Sequence, residues 1–375
     1  MSLILEQLPS AEEFFKSYWN KKAFVVRGMI PKDITEALID EDHLAGLAME
    51  EDVKSRLVRK GRNIEDWRCD YGPFEEEVFS ELGEEDWSLL VQNIDQYHPE
   101  TADLLTLFNF CPRWLLDDIM VSFSPKGGTV GAHTDSYHVF LIQGKGARRW
   151  KVAHEPIKNE DCIEGIPLEI LKEGFDGEEV TVTEGDVIYI PPKFGHEGVS
   201  LEPSLTYSVG FLGPSLSEML NEFGHYLEEH HENPPRYLGQ NLTEDAAPFQ
   251  ISTQQISDFK SFMTDIFEED YFTKWLTQYF SRPIHTDEEE TLPEIEVPDQ
   301  DDLLVKPPEV KILLAPLKSA NKYSVSVGDC SFELDQEDLP LVSAMASEEP
   351  FKAEIFKDHP ALLNTLLQQH KLDII

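Results

Sequence analysis

Asp118-Ile119-Met120-Val121-Ser122-Phe123-Ser124 alternates with a period of two and runs, after a short turn, into Gly127-Gly128-Thr129-Val130-Gly131-Ala132-His133-Thr134-Asp135. Side chains two apart on an extended chain share a face, so the first stretch reads as a strand, and His133 and Asp135 point the same way. Further short β-rich runs follow at 137–143, 148–152, 186–190 and 206–211, separated by turns such as Gly144-Lys145-Gly146 and Glu184-Gly185-Asp186. Many short strands with tight glycine turns predict a sandwich or barrel rather than a doubly wound sheet.

Helical patterns flank this β-rich centre. Ser10-Ala11-Glu12-Glu13 has capping-box spacing, and Phe14, Phe15, Tyr18 and Trp19 follow at helical intervals before the strand-like Phe24-Val25-Val26. Residues 35–116 read as mainly helical, with Trp87, Leu90, Val91 and Ile94 forming one apolar stripe. Beyond 211, Ser215-Leu216-Ser217-Glu218 is a second capping box, and Ile256, Phe259, Met263, Ile266, Phe267, Trp275 and Tyr279 recur at three- and four-residue steps. So aromatic a helical surface packs either on a second subunit or on the chain's own β-structure, and dimerisation is the favoured expectation. Residues 283–302 carry nine acidic residues, three prolines and no Lys or Arg, which is linker composition. The expected division is a catalytic domain at 1–212, a helical domain at 213–282, an acidic linker at 283–302 and a small α+β domain at 303–375. That last domain has 7 basic against 11 acidic residues, which argues against DNA reading.

With 41% hydrophobic and 10% aromatic residues the chain is globular, and no run is long enough to span a bilayer. The N-terminal stretch has no basic segment before its short apolar run, unlike a secretory signal, so a cytoplasmic location is expected. Cys69, Cys111, Cys162 and Cys330 lie far apart and predict neither a zinc knuckle nor a disulfide framework. The formal charge of −41 repels nucleic acid and anionic membranes and attracts cationic partners, although the same excess also serves solubility alone.

His-x-Asp by itself is a weak signal, since 12 histidines in an acidic chain yield on the order of one such pair by chance. Its context is more telling. Asp186-Val187-Ile188-Tyr189-Ile190-Pro191-Pro192-Lys193-Phe194-Gly195-His196 is a buried-looking strand that stops at two prolines and presents a third candidate ligand. Two histidines and one carboxylate leave three positions of an octahedron open, the arrangement a non-haem Fe(II) oxygenase needs, whereas structural zinc would be closed by four ligands. Such an enzyme also needs a fixed cation for the distal carboxylate of 2-oxoglutarate. Arg148, on the next strand, offers a planar fork for it, unless Arg148 and Arg149 are both solvated strand-face charges. Ser122 is a second candidate for that carboxylate. His138, His154, His225, His230 and His231 are alternative metal ligands in principle.

The run from Asp117 to Val152, followed by Asp186-Val187-Ile188-Tyr189-Ile190-Pro191-Pro192 and Gly195-His196-Glu197-Gly198, resembles the JmjC-type ribosomal oxygenases of bacteria. Tyr207-Ser208-Val209-Gly210-Phe211 and a Trp87-Ser88-Leu89-Leu90-Val91 helix extend the resemblance over most of residues 9–230. It implies an α+β fold: a double-stranded β-helix (a cupin-like jelly roll), a helical dimerisation region, a winged-helix-like C-terminal domain, and a homodimer. It further implies hydroxylation of an arginine β-carbon in ribosomal protein sixteen of the large subunit, using Fe(II), 2-oxoglutarate and O2. By motif match, His133, Asp135 and His196 hold the metal, and Ser122 and Arg148 bind 2-oxoglutarate. Thr206 stands where bacterial relatives have Asn. Asp117, Asp118 and Tyr137 are the candidate contacts for a cationic substrate side chain. Two other readings are a related JmjC oxygenase acting on histidine or lysine, and a non-enzymatic cupin-like module docking on basic proteins.

Overall fold

The computed structural model describes residues 3–239, 241–242, 249–282, 298–307, 310–347 and 349–375. Most of the expected acidic linker lies outside them. Two compact units form, Met1–Gly213 and Pro214–Ile375.

In the first unit β1 (Ile4–Leu5), β2 (Phe24–Val26), β3 (Ser55–Arg59), β4 (Arg68–Tyr71), β5 (Trp87–Val91), β6 (Leu116–Ser124) and β7 (His138–Lys145) precede β8 (Arg148–Pro156), β9 (Gly177–Val182), β10 (Val187–Ile190), β11 (Phe194–Ser200) and β12 (Ser204–Phe211). A nine-stranded sheet has the order β1-β2-β10-β7-β12-β6-β5-β3-β4, and a smaller one the order β11-β8-β9. Every pairing is antiparallel except β1 with β2. This is the expected jelly-roll arrangement, with β7, β10 and β12 in the large sheet packed against β8, β9 and β11 in the small one.

Alternation then assigns each face. On β7 and β10, Val139, Leu141, Ile188 and Ile190 join Trp150, Val152, Val180, Val182 and Phe194 of the small sheet in one core. Their neighbours Phe140, Ile142, Val187 and Tyr189 point the other way, into a larger core with Phe14, Ile39, Leu44 and Phe108. The large sheet is therefore apolar on both faces, which explains near-continuous runs such as β10. The Ser10 cap forms as its spacing predicts, accepting from the Glu13 N–H at 3.3 Å. The short helix it starts delivers Phe14 against Tyr189, ring centroids 4.9 Å apart.

The helical expectation for 35–116 is corrected. Beside short helices, the segment supplies β3, β4 and β5, which continue the large sheet past β6. Trp87–Val91 misleads because it is buried on both faces: Leu89 and Val91 enter the large core while Leu90 joins Val58, Trp67 and Ile170 on the opposite side. A short run that is apolar in every direction fits helical spacing as well as a strand.

In the second unit, helices Leu216–His230, Thr253–Phe267 and Asp270–Ser281 surround Phe223, Tyr226 and Trp275. The small sheets comprise β13 (Leu303–Val305), β14 (Ile312–Pro316), β15 (Lys322–Val327), β16 (Cys330–Asp335), β17 (Phe351–Lys352) and β18 (Asp373–Ile374). Helix Asp270–Ser281 is bound to this part, Thr277 Oγ1 lying 2.8 Å from Ser324 Oγ and Ser281 donating to the Gly328 carbonyl at 2.6 Å.

Tyr207 on β12 ties the large core together. Its hydroxyl donates to the Ile39 carbonyl at 2.6 Å, and its ring fills the space a Cβ on Gly144 would need, 2.2 Å away. Tyr207→Phe strands that buried carbonyl. It should cost about 1–3 kcal/mol, read as a lower urea midpoint at unchanged slope for the first unit.

Candidate active site

His133 follows β6 through the glycine turn, and His196 sits on β11. Their main chains exchange two hydrogen bonds, His133 N–H to His196 O at 3.0 Å and His196 N–H to His133 O at 2.9 Å. This isolated antiparallel bridge sets the two ring centroids 4.2 Å apart, with the planes tilted by 56°. Asp135, two residues on, brings Oδ1 to 3.9 Å from His133 Nε2 and Oδ2 to 3.4 Å from His196 Nε2. One ligand atom from each of the three lies within 4.8 Å of the others.

The tautomers are set by the backbone. His133 Nδ1 is 2.9 Å from the Gly131 carbonyl and His196 Nδ1 is 3.0 Å from the Phe194 carbonyl. Carbonyls only accept, so each Nδ1 carries the proton and each Nε2 turns a lone pair toward the centre. Burial, with the neighbouring His196, pushes His133 down to about 4. Burial works against charge on Asp135 and His196 too, yet their mutual contact holds Asp135 below and His196 above its ordinary value. Gly131 has a φ of +87°, and a Cβ there would meet Ile170 at 2.7 Å, so only glycine lets the loop carrying Ile170 close on the turn before His133.

Arg148 is buried, not solvated, being 5% exposed. Its Nη2 donates to Ser124 Oγ at 2.6 Å, Nε to Ser200 Oγ at 3.2 Å and Nη1 to Ser122 Oγ at 3.5 Å. These partners are neutral hydroxyls. Burial alone draws the guanidinium down to about 10, which leaves it charged at neutral pH. A buried cation without a carboxylate partner is costly unless an anion joins it.

The triad and Arg148 line one cavity of about 430 Å³, together with Met120, Ser122, Tyr137, Thr206 and Ser208. Asp118 continues the face of β6 that carries Met120, Ser122 and Ser124, at the end away from Arg148. Its carboxylate accepts from the Asn93 N–H at 3.0 Å, and burial raises it to about 7, with Asp117 and Asp95 adding to the shift. Asp117 falls on the opposite face of the strand, and neither aspartate is in the cavity lining. Thr206 donates to Gln143 Oε1 at 3.2 Å.

The other histidines stand apart. His138 is enclosed by Trp19 and the Tyr189 hydroxyl, and His230 stacks on Tyr226. Sequence reasoning missed Ser124 and Ser200, which hold Arg148. The period-two spacing of Ser122 and Ser124 was the available signal. It also missed Arg56 on β3 and the Pro167-Leu168-Glu169 loop at the cavity wall, which carry no local motif.

The comparisons agree with this geometry. A sequence signature described as the JmjC domain matches residues 103–219. The chain is 33% identical over 360 residues to the ribosomal protein uL16 3-hydroxylase of Escherichia coli, covering 92% of this chain and 91% of that protein. It is 37% identical over 248 residues to a probable ribosomal oxygenase of Haemophilus influenzae, covering 65% of this chain and 58% of that protein. The E. coli ribosomal oxygenase YcfD, solved in complex with cobalt and 2-oxoglutarate, matches with a TM-score of 0.78 and 29% identity over 98% of this chain and 99% of that one. With its jelly-roll sheets, its clustered His133, Asp135 and His196, and a close relative along nearly its whole length, the chain belongs to the JmjC-domain ribosomal oxygenases.

Proposed function

We propose that this protein is an iron(II)- and 2-oxoglutarate-dependent oxygenase that hydroxylates an arginine side chain of large-subunit ribosomal protein uL16 at its β-carbon. The observation that carries the reading is one cavity holding both a two-histidine, one-carboxylate donor set and a buried guanidinium with no carboxylate partner among the described residues. The name of the E. coli relative supports the substrate.

His133, Asp135 and His196 would hold iron through two neutral imidazoles and one carboxylate, a donor set that suits iron(II) and leaves coordination positions free. Arg148 would pair with the distal carboxylate of 2-oxoglutarate, with Ser122 beside it. When bound, iron and 2-oxoglutarate supply the oxidising chemistry, in which one atom of dioxygen enters succinate as carbon dioxide leaves and the other enters the substrate. The chain's own contribution is aim. Tyr137 lines the route to the metal, and Asp118, with Asp117 behind it, offers negative charge to the substrate guanidinium. The net charge of −41 favours a basic protein partner in the cytoplasm over nucleic acid.

The second unit supports a homodimer. Leu216 and Leu220 on one helix, and Ile256 and Met263 on another, remain 73%, 43%, 46% and 51% exposed. Apolar residues repeated along helix faces are an association surface. A helical dimerisation region at 213–282, an acidic linker at 283–302 and a winged-helix-like domain from 303 complete the reading, supported by coverage of 99% of both chains in the match to YcfD.

Incubation with Fe(II), 2-oxoglutarate and a uL16 peptide should add one oxygen atom to arginine, detected by mass spectrometry. Addition instead to histidine or lysine peptides would overturn the substrate. Arg148→Ala should weaken 2-oxoglutarate binding about a hundredfold while cobalt absorption at the triad persists. Asp118 binds a proton in the folded state between about pH 4 and 7 that the unfolded chain releases, so its contribution to stability falls as pH rises through that window. Asp118→Asn should remove that fall, about 2–4 kcal/mol in denaturation at pH 8, and weaken peptide binding. Ile256→Glu combined with Met263→Glu should halve the mass measured by light scattering.

A further inference from the structure

We infer that Ser88 is a further co-substrate-binding residue, its hydroxyl proton directed by Arg148, through Ser124, at the distal carboxylate of 2-oxoglutarate. The inference rests on the proposed reading of the cavity as a 2-oxoglutarate site.

Ser88 lies on β5, outside the segments that carry the metal ligands and Arg148, and is 1% exposed, yet it lines the cavity. The β5–β6 register pairs Leu89 with Phe123 and Leu90 with Ser122, which sets Ser88 beside Ser124 on the cavity face. Ser88 Oγ and Ser124 Oγ are 2.7 Å apart.

The direction of this bond follows from the guanidinium. Arginine only donates, so Ser124 Oγ accepts from Arg148 Nη2. Ser124 is fully buried, and the one hydroxyl left to take its proton is Ser88. A buried hydroxyl proton without an acceptor is unfavourable, so Ser124 donates to Ser88. Ser88 then accepts from Ser124, and its own proton has no acceptor among the described residues and faces the cavity. The other two branches end in carbonyls, Arg148 Nη1 donating to Ser122, which in turn donates to the Thr206 carbonyl at 3.5 Å. Arg148 Nε donates to Ser200, Ser200 lies 2.8 Å from Ser204, and Ser204 donates to the Ser124 carbonyl at 3.5 Å, a closed path that offers nothing to a ligand. The cation therefore polarises one hydroxyl chain toward the cavity, and an anion seated against Arg148 receives a second donor from the opposite strand.

Calorimetry on the zinc-loaded full-length protein tests this without turnover, with 2-oxoglutarate and with oxalate, which chelates metal but lacks the distal carboxylate. Ser88→Ala is expected to weaken 2-oxoglutarate about tenfold and to leave oxalate within about twofold. Ser88→Thr, which restores a hydroxyl, should recover most of the affinity. Ser88→Ala with Ser124→Ala should bind no more weakly than Ser124→Ala alone, as two links of one chain do. Unchanged 2-oxoglutarate affinity in Ser88→Ala, or an equal loss for both ligands, would overturn the role of Ser88. A wild-type protein that binds oxalate but not 2-oxoglutarate would sink the reading of the cavity itself, a separable result.

Discussion

Two reciprocal main-chain hydrogen bonds between His133 and His196 are the constraint on which the site depends. The residues are far apart in sequence and come from different turns of the jelly roll. Pairing their backbones as a single antiparallel bridge fixes both side chains on one side of the link at close range. Asp135 needs no separate device, since it is two residues from His133. Because the pairing is made by backbone atoms, the spacing of the donors does not rely on the flexible imidazoles finding each other. Carbonyls at Gly131 and Phe194 then fix the ring protons.

An electrostatic gradient runs along one strand, β6, from the cavity outward. Four residues of extended chain separate Asp118 from Ser122, which is roughly 13 Å. Near Ser122 stands a buried guanidinium among hydroxyls, with the donor triad on the cavity wall, and at the far end of the strand, outside the cavity lining, the half-buried Asp118 carboxyl is raised by burial to about 7. Both ends carry a cost, since Arg148 has only hydroxyl partners among the described residues, and burial with the neighbouring Asp117 and Asp95 works against charge on Asp118. An anionic co-substrate relieves one and a cationic side chain the other, so stability is given up where ligands are to be held.

Much of this was legible because strand alternation is local. The period-two pattern of 118–124 placed Ser122 on an inward face, His-x-Asp put two donors together, and the Pro191-Pro192 stop before His196 marked the third. The same rule failed at Trp87–Val91, where burial on both faces erased the alternation and left a pattern that helices also produce. The aromatic helical surface divides between core and solvent. Trp275 is consumed by the second unit's own core, with Ile266, Phe267 and Tyr279 packed against it, while Ile256, Phe259 and Met263 stay exposed.

The sequence alone determined which residue types were available for the chemistry, and the order in which strands and turns would present them, because both follow from neighbours along the chain. Only tertiary structure decided that Arg148 would be buried without a carboxylate, that Ser88, Ser124 and Ser200 would meet around it, and that Asp118 and Asp117 would part to opposite faces. Those outcomes depend on register between strands distant in sequence and on exclusion of water, and neither quantity is written in any single stretch of residues.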